Sequence, residues 1–467
     1  MTSSGEAFPT LDVHAIGDGA TIAAISTAAG RGALAVIRIS GGGAPSLANQ
    51  LLRPPPTEPR RAVHASFLDP DSGQVLDDVV AVLYRAPGSF TGEDLLEITG
   101  HGGSFAPTSM LSAIIRAGAR QAEPGEFTRR AVLNGKLDLL QAEAIGDLID
   151  ARSTAGHRQA LRQLDGELTR RVQALRQRIL HVEALLAYDI DFPEEDDGPI
   201  SKERVVAAAD TALRDVRALL ASAEQGTLIH EGALVVLAGA PNTGKSTLFN
   251  ALLGEARAIV TEIPGTTRDA IEAVLDRPRW PLRLVDTAGL RETTDTLEQL
   301  GIETSARYLN RAALVLACGE TTDDVEHAKS MIANASASPV LGVLTKRDLV
   351  AHREISTHAI GDLVEVSART GDGLAQLLDV IDARLAVERG EPLMDSPGLT
   401  RARHRVAVSR AADELTTFIT AMRDASLPVS IAAIHVRTAA DALAELIGIV
   451  NTDDVLDVVF RQFCVGK

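Results

Sequence analysis

Cysteine, aromatic residues and long apolar runs are scarce in this chain, and each scarcity excludes something. Only Cys318 and Cys464 occur among 467 residues. That rules out a disulfide scaffold and any all-cysteine zinc site, and it points to a reducing compartment. Aromatics make up 3% while hydrophobic residues make up 45%, so Leu, Val, Ile and Ala must fill the core. No uninterrupted apolar stretch reaches the roughly 18 residues that a membrane span needs. The opening MTSSGEAFPTLDVHAIGDGA is acidic, with no Arg-rich amphipathic pattern and no signal-peptide core; the expectation is a bacterial cytoplasmic protein. A net charge of −17 disfavours broad nucleic-acid affinity, which needs phosphate neutralisation by Lys and Arg. A local basic face is compatible with it. TRRVQALRQR (169–178) is one candidate, the plainer reading being a solvated helix face.

Four stretches punctuate the chain: RPPPTEPRR (53–61), DFPEEDDGP (191–199), QGTLIHEG (225–232) and ERGEPLMDSPG (388–398). Before residue 130 the short apolar runs TIAAIS, ALAVIRIS, VVAVLY and LLEIT, separated by Gly and Pro, predict an α+β region. Ser109 to Ala117 fits a helix. Leu161, Leu164, Leu168, Val172, Leu175, Ile179, Val182 and Leu186 then recur at steps of three and four, one apolar stripe on a long helix. A second helix covers about 202–223, and further helices are expected at 401–424, 438–450 and 453–463. Between them, ALVVLA, LRLVD, ALVLAC, VLGVLT and LVEVS are apolar runs without alternation, as a parallel sheet covered on both faces requires. Helices thus flank an α/β insert.

GAPNTGKST (239–247) follows the first of these runs and opens a helix. Gly239, Gly244, Lys245 and Ser246 match the phosphate-loop spacing. The glycines let backbone N–H groups curl around phosphate oxygens, and the helix adds its positive dipole end. Lys245 reaches the β- and γ-phosphates, and the Ser246 hydroxyl suits Mg²⁺. LTKRD (344–348) selects the base. Asp348 can accept two hydrogen bonds, guanine offers two adjacent donors on one edge, and adenine offers no such pair. Lys346 can lay its stem along the base. Thr345 stands where most GTPases have Asn; it keeps a hydroxyl and loses the amide, so its bridge to the loop should be weaker or different. Ser367 and Ala368 in EVSART supply the small turn beside the base. In LVDTAGL (284–290), Asp286 fits an outer-sphere Mg²⁺ role and the Gly289 N–H suits the γ-phosphate. Leu290 follows, where Ras-like proteins have a Gln, and Leu cannot orient water. Thr267 in GTTRD is the natural second hydroxyl ligand for Mg²⁺.

Over its full length the chain resembles the MnmE (TrmE) family of tRNA-modification GTPases. The motifs are AGRGALAVIRISG (29–41), SFTGEDLLEITGHGG (89–103), PGEFTRRAVLNGKLDLLQAEAIGDLIDA (124–151), PNTGKSTLFNAL (241–252), AIVTEIPGTTRD (258–269), DTAGLRET (286–293) and FCVGK (463–467). FCVGK replaces the usual FCIGK, a loss of one methylene. The resemblance implies a multidomain fold. It comprises an α+β folate-binding and dimerisation domain (1–135), a discontinuous all-α helical domain (136–230 and 389–467) and an inserted Ras-like α/β P-loop GTPase domain (231–388).

The family's activity would be potassium-dependent GTP hydrolysis. With a flavin-dependent partner, MnmG (GidA), which carries FAD, it would place a carboxymethylaminomethyl group at C5 of the wobble uridine of certain tRNAs, using a tetrahydrofolate one-carbon unit. A homodimer is implied, with a heterotetramer when the partner is bound. GTP contacts are expected from Asn242, Thr243, Gly244, Lys245, Ser246 and Thr247. More are expected from Thr261, Glu262, Ile263, Pro264, Gly265, Thr266 and Thr267. Asp286, Thr287, Ala288, Gly289, Thr345, Lys346, Arg347, Asp348, Ser367, Ala368 and Arg369 complete the set. Ser246 and Thr267 match the Mg²⁺ positions; Asn242, Thr261, Ile263 and Thr266 match a potassium site. Glu298 matches the family's water-orienting glutamate, which accounts for Leu290. Arg38, Glu97, Lys136 and Lys467 match folate positions. Cys464 matches a C-terminal cysteine whose thiolate could attack C6 of uridine. The catalytic candidates are therefore Glu298, Lys245 and Cys464. Two rival readings stay open: a ribosome-assembly GTPase of the Era type, and a folate-binding adaptor whose nucleotide domain is only a timing switch.

Overall fold

In a computed structural model, residues 19–191, 201–255, 258–259, 271–277, 279–286, 308–349, 362–389, 398–449, 459–460, 463 and 466 are described. The chain divides into two compact units, Met1–Glu143 with Val450–Lys467, and Ala144–Ile449. Residues 450–467 thus fall with the first unit and not with the helices that precede them.

The first unit is built on a seven-stranded sheet. Its strands are β1 (Ile22–Ile25), β2 (Leu34–Ser40), β3 (Leu52–Arg53), β4 (Val63–Leu68), β5 (Val75–Tyr84), β6 (Leu95–His101) and β7 (Arg120–Gln121), in the order β3-β4-β5-β6-β2-β1-β7. All neighbours are antiparallel except β1 and β7. Its helices are α1 (Ala44–Leu51), α2 (Ala106–Arg116) and α3 (Glu126–Leu133). Alternation sorts the strands by face. Ile37, Ile39, Leu96 and Ile98 meet Leu47 and Leu51 of α1 and Met110 and Ile114 of α2. The intervening Arg38 and Glu97 lie directly opposite one another on β2 and β6. The C-terminal segment packs in the same unit: Val459, Phe460 and Phe463 cluster with Leu139 and Ala142 at the start of α4 (Leu139–Asp150).

The second unit carries α5 (Thr154–Leu164), α6 (Glu167–Asp191) and α7 (Lys202–Glu231), and then an α/β region. The latter contains β8 (Ala233–Ala238), α8 (Lys245–Glu255), β9 (Ala258–Ile259), β10 (Ile271–Leu275), β11 (Leu282–Asp286), β12 (Leu314–Gly319), α9 (Thr322–Ala335), β13 (Val340–Leu344), β14 (Leu363–Glu365) and α10 (Leu374–Arg389). Two helices follow, α11 (Ala402–Asp424) and α12 (Val429–Leu446). α11 packs against α7 and α12, and α12 against α6. The sheet order is β14-β13-β12-β8-β11-β10-β9. Its first five strands are parallel, and β10 and β9 are antiparallel additions at one edge. One face packs on Phe249 of α8 and Leu377 and Ile381 of α10; the other packs on Val325, Ala328 and Ile332 of α9.

Three sequence expectations are corrected. The apolar stripe from Leu161 to Leu186 is carried by two helices, because the chain turns at Gly166 with φ +78°. Leu161 is consequently 45% exposed, and the buried stripe begins at Leu168. QGTLIHEG, read as punctuation before the phosphate loop, is helical to Glu231 and ends α7 at the Gly232 C-cap. Gly226 sits there because Leu399 crosses the helix; an added Cβ would lie 2.4 Å from the Leu399 carbonyl oxygen. The helix expected at 438–450 begins at Val429, capped by Pro428.

Candidate functional site

β8 is buried along its whole length and delivers the chain to the phosphate loop under its neighbour β12. Gly239 has φ +149°, and a Cβ there would lie 2.3 Å from the Cys318 carbonyl oxygen. Only glycine lets the loop turn off the strand so close to β12. Gly244 also has positive φ, and so does Asn242, at +63°. Asn tolerates that region better than most side chains. Inside the loop, Thr243 Oγ1 donates to Ala240 O at 2.9 Å. Lys245 is buried, and its ammonium donates to Gly239 O at 3.1 Å and Ala240 O at 2.7 Å. Ser246 and Thr247 are exposed at the start of α8. Asp286 is buried at the end of β11, in register with Leu237 of β8. A hydroxyl and a carboxylate are hard oxygen donors of the kind Mg²⁺ takes.

The Thr345–Asp348 segment, expected to select the base, is tied directly to this loop. Thr345 Oγ1 lies 2.6 Å from Thr243 O and 3.1 Å from Gly319 O. One hydroxyl proton serves two carbonyls where an amide would bring two. Lys346 takes φ +54° and donates to Asn242 O at 2.8 Å and to Glu320 Oε1 at 2.6 Å. Asp348 sits in a short 3₁₀ turn, Arg347–Leu349. Its Oδ1 accepts from Ser367 Oγ and its Oδ2 from Arg369 Nε, both at 2.7 Å. The Ser367 hydroxyl first, and then Arg369, hold its carboxyl below the usual range. Arg347 turns away to Glu365 at 3.2 Å. Gly373, with φ +78°, lets the turn after Ser367 close, since a Cβ would lie 2.2 Å from Glu365 O. Ala368 is half-buried beside Ser367. Burial pushes the Cys318 thiol behind the loop up to about 12.

Thr261, Glu262, Ile263, Pro264, Gly265, Thr266, Thr267, Thr287, Ala288, Gly289, Leu290, Glu298, Cys464 and Lys467 lie outside the described residues.

In the first unit, Arg38 Nε donates to Glu97 Oε1 at 2.9 Å, and Tyr84 Oη donates to Glu97 Oε2 at 3.3 Å. The Arg38 guanidinium lies 5.6 Å from the Phe90 ring centroid, within cation–π range. Desolvation first, then Glu97, pushes the Tyr84 hydroxyl up. Lys136 Nζ donates to Pro87 O at 3.0 Å, on the loop that carries Phe90. Gly466 packs against the end of β1. Ser26 Oγ donates to its carbonyl at 2.9 Å, and a Cβ there would lie 2.3 Å from Ile25 O. Arg38, Glu97 and Lys136 are thus drawn around the 85–94 loop. Sequence reasoning missed Tyr84, Phe90 and Glu320. The diagonal cross-strand relation of Tyr84 to Glu97 was the available signal for the first.

A strand–loop–helix phosphate cradle bonded to a Lys-x-Asp base motif, in a largely parallel sheet, defines a multidomain P-loop GTPase. Residues 139–464 match the family model described as the MnmE helical domain, and residues 21–136 match the one described as the GTP-binding protein TrmE N-terminus. Among curated relatives, the "tRNA modification GTPase MnmE" of Bordetella parapertussis is 42% identical over 455 residues, covering 96% of this chain and 99% of its own. The protein of the same name from Aquifex aeolicus is 38% identical over 448 residues, covering 96% and 99%. This chain belongs to the MnmE family. Among solved structures, the G domain of the T. maritima FeoB iron transporter aligns over 34% of this chain and 98% of its own, at 25% identity and a TM-score of 0.26.

Proposed function

We propose that this chain is a potassium-dependent GTP hydrolase of tRNA modification. It works as a homodimer in the bacterial cytoplasm with a flavin-dependent partner of the MnmG type. Together they install a carboxymethylaminomethyl group at C5 of uridine 34, drawing the one-carbon unit from a tetrahydrofolate. The observation that carries the GTP reading is the pair of hydrogen bonds joining Thr345 to Thr243 O and Lys346 to Asn242 O. Base recognition and phosphate binding are thereby built on one connected frame. Asp348, already held as the anion by Ser367 and Arg369, grips the guanine edge by exchanging one of these bonds for the base. Lys245 swings from the loop carbonyls to the β- and γ-phosphates. Ser246 and Thr267 are the Mg²⁺ ligands. Asn242, Thr261, Ile263 and Thr266 hold potassium, which supplies positive charge at the phosphates in place of an arginine finger. Glu298 orients the attacking water.

The folate reading rests on Arg38, Glu97 and Lys136. A carboxylate fixed by Arg38 and Tyr84 can pair with the amide-and-amine edge of a pterin, and Lys136 with Lys467 can meet the glutamyl tail. The role proposed for Cys464 is attack on C6 of the uridine or protection of an intermediate. The test is the GTPase rate in potassium against sodium at equal ionic strength. A large potassium preference is expected. Equal rates would overturn the cation-assisted mechanism, and an unaltered wobble uridine pattern in a strain lacking the gene would overturn the tRNA reading.

A further inference from the structure

The first half of α6, with α5 before it, departs from the charge of the rest of the chain. From Thr154 to Leu180 there are six arginines, Arg158, Arg162, Arg170, Arg171, Arg176 and Arg178, against two carboxylates, Asp165 and Glu167. That is a surplus of four positive charges in a chain whose net charge is −17. Several of these arginines serve the fold. Arg178 is paired with Asp215 of α7, and Arg162 and Arg171 are engaged as well. Arg170 and Arg176 differ. Arg170 is 63% exposed; one Nη donates to Asp165 O at 2.9 Å, while the other is 3.9 Å from the still more exposed Asp165 carboxylate, an ion pair of little worth in water. Arg176 holds a buried Nε that has no hydrogen-bond partner among the described residues.

Both line a groove of about 390 Å³ together with Gln173, Ala174, Gln177 and Ile449. Residues 170, 173, 174 and 177 stand at i, i+3, i+4 and i+7, one face of the helix, and span about 10 Å along its axis. Among the described residues, no carboxylate lines the groove. Its chemistry is that of a polyanion seat. Guanidinium forks match phosphate oxygens in pairs, and glutamine amides can donate to a phosphate or bond to a ribose hydroxyl. On a strongly acidic molecule, a polyanion approaches favourably only where the local sign is reversed.

We propose that this groove on α6 seats the phosphodiester backbone of the tRNA substrate. The inference rests on the tRNA-modification reading above and adds to it the surface that meets the RNA. The contact is to the backbone, so it contributes affinity and position, with no reading of base sequence.

The test is binding of a fluorescent unmodified tRNA transcript to the full-length protein across a potassium chloride series. The variants are Arg170→Gln, Arg176→Gln and the double substitution, with thermal unfolding as the check on the fold. Each single substitution should weaken binding severalfold at low salt and reduce the slope of log K against log salt by about one. The double should lose about two. Arg176→Lys, which keeps the charge, should restore most of the slope. Slopes and affinities unchanged in the double variant would overturn the groove, as would a native protein that binds no tRNA, or a variant that loses only an acidic protein partner. Wobble-uridine modification separates the two readings. If it is lost on gene deletion while the slopes are unchanged, the groove alone fails; if it persists on gene deletion, the tRNA reading fails too.

Discussion

At the scale of single residues, Asp348 is the group proposed to select the base. Both carboxylate oxygens accept, one from Ser367 and one from Arg369, and these bonds hold its carboxyl below the ordinary range. Asp348→Asn turns one acceptor into a donor. It should lower GTP affinity by roughly tenfold or more for each lost hydrogen bond and favour xanthosine triphosphate, whose edge carries an acceptor in place of the guanine amine. A competition titration of the two nucleotides measures this; a variant that still prefers GTP would remove Asp348 from base selection. Much of this site was legible in the sequence, because Gly239, Lys245, Thr345 and Asp348 sit at fixed offsets from apolar runs that could only be strands. The partner of Lys346, Glu320, was not legible. A single exposed carboxylate after a strand carries no spacing signal, and only the fold brings it across 26 positions.

At the scale of elements, the ends of helices and strands do most of the joining. Ser153 caps α5 by accepting from Gly156 N at 3.0 Å. In the next position, Thr154 donates its amide and hydroxyl to Asp276, just past β10, at 2.9 and 2.5 Å. A carboxylate at a helix N-terminus is favourable. Thr154→Val should cost about 1 kcal/mol, the usual worth of a lost cap interaction, read as a lower unfolding midpoint. No change would mean that the hydroxyl's bond is matched by water, since valine keeps the backbone amide bond to Asp276.

The start of α3 offers a second case. Glu126 is almost wholly buried between Arg120 at 2.7 Å and Arg130 at 2.9 Å. Burial pushes its carboxyl up, but Arg120, the Glu123 amide and Arg130 together hold it below the ordinary 4.5. The folded pKa is the lower one, so the stabilisation is complete above pH 4.5 and is lost as pH falls through the folded value. Glu126→Gln should destabilise the first unit by about 2 kcal/mol near neutrality, by removing charge-assisted hydrogen bonds while Arg130 keeps its pairing with Glu93 at 3.0 Å. It should also flatten the acid limb of stability against pH; a variant with the native acid limb would assign that limb elsewhere. The strands were read well from sequence where they were long and apolar. β9 and β10 were not read, being short and, in IEAVL, interrupted by Glu272. The break at Gly166 escaped because the three-and-four periodicity runs straight across it.

At the scale of the whole molecule, the contact of α7 with the returning chain sets the framework. Gly226 has no room for a side chain against Leu399, the nearest atom to an added Cβ being backbone. Gly226→Val should therefore cost about 1–3 kcal/mol, the range for overpacking, and lower the unfolding midpoint of the second unit. An unchanged midpoint would mean that residues 398–400 yield freely. A Cβ added at Gly398 would lie 3.4 Å from the Cα of Gly226. The α/β region therefore leaves α7 and returns to the helices at nearly the same point. Such an arrangement behaves like a cassette. A short glycine-serine splice from the end of α7 to residue 398 would excise the region from β8 through α10 at small loop-closure cost. The helices could then fold as a freestanding bundle, and a different nucleotide-sensing module with neighbouring termini could be fitted in its place.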